Sequence, residues 1–276
     1  MPTTLPPNSF YLVSYPRSGN TWLINCLTTL VDGVPGEAYT AYKLYTEHHG
    51  RPGESFTFWC MPRRRPDQPI CVKSHDALPL FRSRHPAGPL VYIARDARDS
   101  LISYYFFKQA YPTIDAEKLT FTQIKGQEVV LSRSGQDPVF QAEAFTQFLR
   151  TEAPLWAAHV REAKADHSMC FVTYEELKHR FIPTLTRIGD YLQLPLVKSY
   201  VEVDGVYNSD FKKMFSGSNR DFFRRGEIGD WKNWFTREHA RLLEELIGPD
   251  LRALGFETDP AWAQHYVPAR GAAAGA

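Results

Sequence analysis

Two kinds of apolar pattern alternate along the chain. Short runs rich in Val, Ile, Phe and Tyr, namely FYLVSY (10–15), PICVKS (69–74), PLVYIAR (89–95) and MCFVTY (169–174), have the length and near-continuous hydrophobicity of strands buried on both faces. Between them TWLINCLTTLV (21–31), DSLISYYFFKQA (99–110) and FQAEAFTQFLRTEAPLWAAHVREAK (140–164) place apolar residues three and four apart, the helical period. YEELKHRFIPTLTRIGDYL (174–192) adds a helical pattern interrupted or entered at Pro183. This is the alternation of βαβ units, and right-handed crossovers put the helices on both faces of the sheet. The pattern predicts an α/β fold: a single domain with a central, mostly parallel sheet flanked by helices.

Residues 32–68 and 111–139 break the rhythm, being rich in Pro, Gly and polar side chains, and read as long loops over the sheet. In an open α/β sheet such loops cover the crevice beyond the C-terminal strand ends, although surface decoration is the plainer reading. The last residues, PARGAAAGA, read as disordered. The 276 residues bury a sizeable core, and their formal charge of +1 argues against a broad basic field for nucleic acid, so any anion site is local. No apolar run is long enough to span a bilayer and the N-terminus has no secretory pattern, so a cytoplasmic protein without stable membrane insertion is expected. Cys26, Cys60, Cys71 and Cys170 form no CxxC pair and read as reduced thiols rather than a zinc or disulfide framework.

The chemistry begins where the first strand ends. In YLVSYPRSGNTWL (11–23) a buried strand stops near Tyr15, Pro16 stiffens the exit, Ser18 and Gly19 permit a tight turn, and a helix starts near Asn20 or Thr21. Backbone N–H groups, the positive end of a helix dipole, the hydroxyls of Ser18 and Thr21 and the cation of Arg17 then converge on one phosphate-like group. The turn is not a Walker A loop, which needs Lys where Asn20 follows Gly19. Taken alone, the pattern also suits an ordinary tight turn.

Its company narrows the reading. YPRSGNTW resembles the 5'-phosphosulfate-binding loop of the cytosolic-type sulfotransferases, VYIARDARDSLISYYFF (91–107) resembles their 3'-phosphate-binding strand and helix, and RRGEIGDWKNWFT (224–236) resembles their Arg-Lys-Gly and Gly-x-Trp-Lys region. The resemblance implies a sulfotransferase domain over residues 8–258, with 259–276 as a C-terminal tail. It also implies a P-loop-like strand-loop-helix and 3'-phosphoadenosine 5'-phosphosulfate (PAPS) as sulfuryl donor, without a metal. Carried over residue by residue, Arg17, Ser18, Gly19, Asn20 and Thr21 hold the 5'-phosphosulfate, and Arg95, Ser103, Arg224, Arg225 and Gly226 hold the 3'-phosphate. Trp22, Tyr174, Ser209 and Phe211 are matched to the adenine contacts, although each of the three aromatics suits a core position as well. Arg98 and Asp99 are assigned to a solvated helix face.

The resemblance further marks His75, just after a strand in CVKSHDALP, as the general base, with Lys73 balancing charge on the transferring group. A base that takes a proton from a hydroxyl or amine during an in-line displacement suits an imidazole, and positioning and fixed cations do the rest. Two departures stand out. Arg17 replaces the family's usual Lys, and Arg237 and Arg241 interrupt the segment through which members often dimerise, so a monomer or a different dimer are both open. The acceptor is a small molecule. Aromatics in 39–59 suit a phenol or hydroxylated lipid, and the Arg63–Arg65 run suits a sugar or acidic acceptor, or simply a solvated loop. The rival readings are a P-loop kinase using ATP and a non-catalytic nucleotide-binding module.

Overall fold

A computed structural model of the chain describes residues 7–32, 43–47, 57–61, 69, 71–85, 87–110, 138–207 and 226–269, with the backbone alone for 43–47 and 57–61. All four expected strands form: β1 (Phe10–Val13), β4 (Cys71–Ser74), β5 (Leu90–Ala94) and β6 (Cys170–Thr173). They lie parallel in the order β4-β1-β5-β6, Phe10 opposite Cys71, Tyr11 opposite Leu90 and Val91 opposite Cys170. The segment 32–68 is not all loop. Lys43–Glu47 (β2) and Thr57–Met61 (β3) pair antiparallel and extend the sheet beyond β4. Five-residue strands in a Pro- and Gly-rich context carry too little periodicity to stand out from their flanks. The other expected loop, 111–139, lies outside the described residues up to 137.

Alternation along the parallel strands divides the core in two. Tyr11, Val13, Val72, Tyr92 and Ala94 face α2 (Leu78–Arg84), α3 (Ala97–Ala110), α4 (Ala142–Ala165), α8 (Arg237–Ala253) and α9 (Trp262–His265). Phe10, Leu12, Cys71, Val91, Ile93, Cys170 and Val172 face α1 (Asn20–Asp32), α5 (Tyr174–His179), α6 (Phe181–Leu192) and α7 (Tyr200–Tyr207). The period-two pattern thus fills both layers, and Leu12 in the middle strand is fully buried, where truncation to Ala costs about 2–5 kcal/mol. Cys26, Cys71 and Cys170 are buried.

Two junctions position the site. Thr173 closes a capping box with Glu176, its hydroxyl accepting from the Glu176 N–H at 3.0 Å, so β6 passes directly into α5 and Tyr174 stands at the strand's C-terminal end. The break within 174–192 falls at Arg180, and Pro183 sits in the first turn of α6, where its missing N–H is harmless. The chain also keeps packing past 258. Trp262 meets Trp231 edge to face at 5.7 Å, and the Tyr266 hydroxyl donates to the carbonyls of Lys232 and Phe235.

Candidate active site

All four parallel strands release their chemistry at the same end: the turn after β1, His75 after β4, Arg95 after β5 and Tyr174 after β6. The turn after β1 lies between β4 and β5, the place where an open sheet forms its crevice. Within it Arg17 has a φ of +66° and Gly19 one of +101°. Gly19 is required twice over, because a Cβ there would stand 2.6 Å from the Tyr174 ring. Helix α1 starts at Asn20, so its first N–H groups face the turn. Ser18 Oγ and both amide atoms of Asn20 are buried with no hydrogen-bond partner among the described residues. Buried polar atoms left unused by the protein, at a helix N-terminus beside a cation, fit an anionic ligand.

The separate sequence motifs touch one another here. Arg17 Nε donates to Ser103 Oγ at 3.2 Å on α3, and its guanidinium lies over the Phe107 ring at 4.9 Å. Arg95 donates to the Glu227 carbonyl at 2.8 Å and the Arg17 carbonyl at 3.5 Å, with its guanidinium 4.5 Å over the Tyr174 ring. The Tyr174 hydroxyl donates to the Gly226 carbonyl at 2.7 Å, and Gly226 has a φ of +66°. Gly226 thus joins Arg17, Arg95, Ser103 and Tyr174, while Arg224, Arg225, Ser209 and Phe211 lie outside the described residues. Trp22 is only 4% exposed, stacked on Phe181 at 5.8 Å and edge-on to Tyr174 at 5.3 Å, so its ring is part of the core. Thr21 is half-buried, and its carbonyl accepts from the Asn25 amide.

One assignment is overturned. Arg98 and Asp99 are no solvated face; they are 5% and 1% exposed. Asp99 accepts from the N–H groups of Gly229 at 2.7 Å and Trp231 at 3.0 Å and lies 3.7 Å from Arg95. Its carboxylate ties the turn after Gly226 to α3. Burial pushes its pKa up, opposed by Arg95 and the two N–H donors. Arg98 is clamped by Asp96 and Glu257 between the rings of Trp231 and Trp262, at 4.7 and 4.8 Å. Burial alone would weaken its hold on the proton, but the two carboxylates outweigh it. The spacing of Asp99 and Ser103 is the signal, since residues four apart on a helix share a face, and Ser103 faces the site. Asp99→Ala is expected to lower unfolding stability in urea by about 3–5 kcal/mol, the cost of leaving a buried partner unpaired, and Asp99→Asn by less.

His75 is half-buried. Its Nδ1 lies 2.9 Å from the Ser14 carbonyl, which can only accept, so Nδ1 carries the proton and Nε2 the lone pair. Burial first, then the cations of Lys73 and Arg17 with neighbouring His159, push its pKa down to about 3, against the pull of the Ser14 carbonyl. Lys73 is half-buried on β4, two residues before it. The arrangement is therefore a neutral imidazole near the cations of Lys73 and Arg17, next to the turn after β1.

The chain is similar to known proteins over most of its length. The family model described as "Sulfotransferase domain" matches residues 7–255. Flavonol 3-sulfotransferase of Flaveria bidentis is 25% identical, the alignment covering 91% of this chain and 84% of the relative. Sulfotransferase 1C2 of Oryctolagus cuniculus is 23% identical over 91% and 86%. Among solved structures, mouse sulfotransferase SULT7A1 complexed with PAP superposes with a TM-score of 0.59 at 18% identity, covering 96% of this chain and 90% of that one. Retinol dehydratase in complex with androsterone and inactive cofactor PAP gives 0.58 at 17% identity, over 90% and 82%.

Proposed function

Since the chain belongs to the sulfotransferase domain family, we propose that it moves a sulfuryl group from PAPS to a hydroxyl, or an amine, of a small-molecule acceptor, in the cytoplasm. The observation that carries this reading is the contact between the separate anion-binding elements: Arg17 on Ser103, and Arg95 on both the Arg17 carbonyl and the turn after Gly226. A donor with phosphate at both ends of a nucleoside needs two such clusters side by side. Ser18, Gly19, Asn20 and Thr21 would hold the phosphosulfate end with Arg17. Arg95, Ser103 and Gly226, with Arg224 and Arg225, would hold the 3'-phosphate. Trp22 and Tyr174, buried in the core behind this wall, would meet the adenine, with Ser209 and Phe211 assigned to its edge.

In the reaction the acceptor oxygen bonds to sulfur as the bond from sulfur to the bridging phosphate oxygen breaks, that oxygen keeping the electron pair. His75 Nε2 takes the acceptor's proton. Arg17 and Lys73 stabilise the negative charge that develops on the transferring and leaving oxygens. Names of relatives such as the flavonol enzyme support hydroxylated small molecules as the acceptor class, with phenols tested first, then hydroxylated lipids and sugars.

Adenosine 3',5'-bisphosphate at a hundredfold excess over its Kd is expected to raise the melting temperature by roughly 5 °C, with AMP and Mg·ATP well below it. Greater stabilisation by Mg·ATP would replace this reading with a kinase. Bisphosphate binding with no labelled product from any PAPS and acceptor pair would leave a binding module.

A further inference from the structure

A second histidine stands behind the first. His159 on α4 is buried, with Nε2 3.2 Å from the main-chain carbonyl of His75 and Nδ1 2.7 Å from the Tyr92 hydroxyl. A carbonyl only accepts, so Nε2 carries the proton and Nδ1 accepts from Tyr92, which fixes the tautomer. Tyr92 projects from β5, and Tyr15, at the end of β1, packs edge-on to the imidazole at 6.0 Å. The Tyr15 hydroxyl is in turn held by Glu152, which pairs with Lys108. The ring of His159 is thus held from β5, from the segment after β1 and from the main chain of His75.

We propose that His159 is a positioning residue for sulfuryl transfer: through the bond from Nε2 to the His75 carbonyl it fixes the main chain from which His75 projects, and so holds His75 Nε2 in line with the acceptor. The inference rests on the sulfuryl-transfer reading. The main chain of His75 leaves β4 at Ser74 and has no strand partner beyond it in the parallel register with β1, which ends at Val13 opposite Ser74. The His75 side chain is tied to the Ser14 carbonyl, and the carbonyl of the same residue to His159, so the ring and the main chain that carries it are each held by one contact. Burial lowers the pKa of His159, so it remains neutral and keeps Nδ1 as an acceptor at neutral pH. His159 touches neither donor nor acceptor in this assignment and acts only through His75.

A double-mutant cycle tests this. His159→Leu is expected to lower kcat about 10- to 100-fold, the scale of a small misplacement of a reacting group, while the Kd for adenosine 3',5'-bisphosphate changes less than about twofold. In a His75→Ala background the same substitution should cost almost nothing further. His159→Gln, which returns an N–H near the position of Nε2, should recover most of the rate, and Tyr92→Phe should cost a few-fold. An equal loss with and without His75, or a loss of nucleotide affinity that matches the loss of kcat, overturns the proposal. Should the leucine variant not fold, the glutamine and Tyr92→Phe variants run the same cycle. The Nδ1 proton of His75, held on the Ser14 carbonyl, is a readout by NMR that is free of turnover. It should broaden in His159→Leu and persist in His159→Gln, and persistence in both counts against the proposal even if no acceptor is ever sulfated.

Discussion

His75→Ala is expected to lower turnover by about 10²- to 10⁴-fold, the usual contribution of a positioned base, with adenosine 3',5'-bisphosphate still bound within a few-fold of its original affinity. The base lies after β4 and the anion turn after β1, so removing the imidazole takes nothing from Ser18, Asn20 or Arg95. Equal loss of binding and turnover would make His75 a structural residue. The pH dependence adds a sign. The pKa of the folded protein, about 3, lies below the ordinary histidine value of 6.5, so the neutral, competent form persists well below pH 6. The kcat/KM for the donor, which reports the free enzyme, should have no limb near 6.5. Negative charge beside Lys73 and Arg17 offsets the cations that depress the imidazole, so the acid limb of kcat should lie above that of kcat/KM. The same depression costs stability in acid, because the unfolded chain gains a proton that the folded chain refuses. This contribution is present above about pH 6.5 and is lost as the pH falls toward 3, so His75→Ala should lose less stability over that window.

The parts of this site visible in the sequence are those that use local patterns. A buried run ending in Pro-Arg-Ser-Gly predicts the turn at 16–19 and a helix from Asn20 or Thr21, and both form, the helix starting at Asn20, because strand, turn and helix signals there are contiguous. The four parallel strands are legible from short, mostly apolar runs: β1 and β5 are buried along their whole length, and β4 and β6 at every position but Lys73, Phe171 and Thr173. The antiparallel strands at 43–47 and 57–61 are not legible, since five-residue strands in a Pro- and Gly-rich context leave a faint period. Asp99 is the instructive miss. A charged residue on a helix is by default solvated, and only the tertiary contact with Gly229 and Trp231, 130 and 132 residues away, reveals it as an anchor. His159 is hidden in the same way, being one of nine histidines in a helix whose apolar period explains its neighbours without it.

Arg17→Ala should abolish turnover, with a loss of about 10³-fold or more, on the scale of the arginine that stabilises charge in phosphoryl transfer, whereas Arg17→Lys should retain a substantial part of the rate. The guanidinium stays protonated at any working pH, so its part is electrostatic and it donates no proton to the leaving oxygen. A lysine supplies the charge without the fork that reaches Ser103 Oγ, which is why recovery should be partial. Loop damage is the competing explanation for the alanine result, and the backbone separates the two. At a φ of +66° Arg, Lys and Ala bear a similar left-handed cost, so they differ in side chain and not in strain. Arg17→Gly relieves that cost, and by up to about 1 kcal/mol should offset the greater freedom glycine gives the unfolded chain. If charge is what Arg17 contributes, the glycine variant keeps a stable turn and is as inactive as alanine. Near-wild-type rates in both the alanine and glycine variants would remove Arg17 from the mechanism and leave Lys73 as the cation beside sulfur.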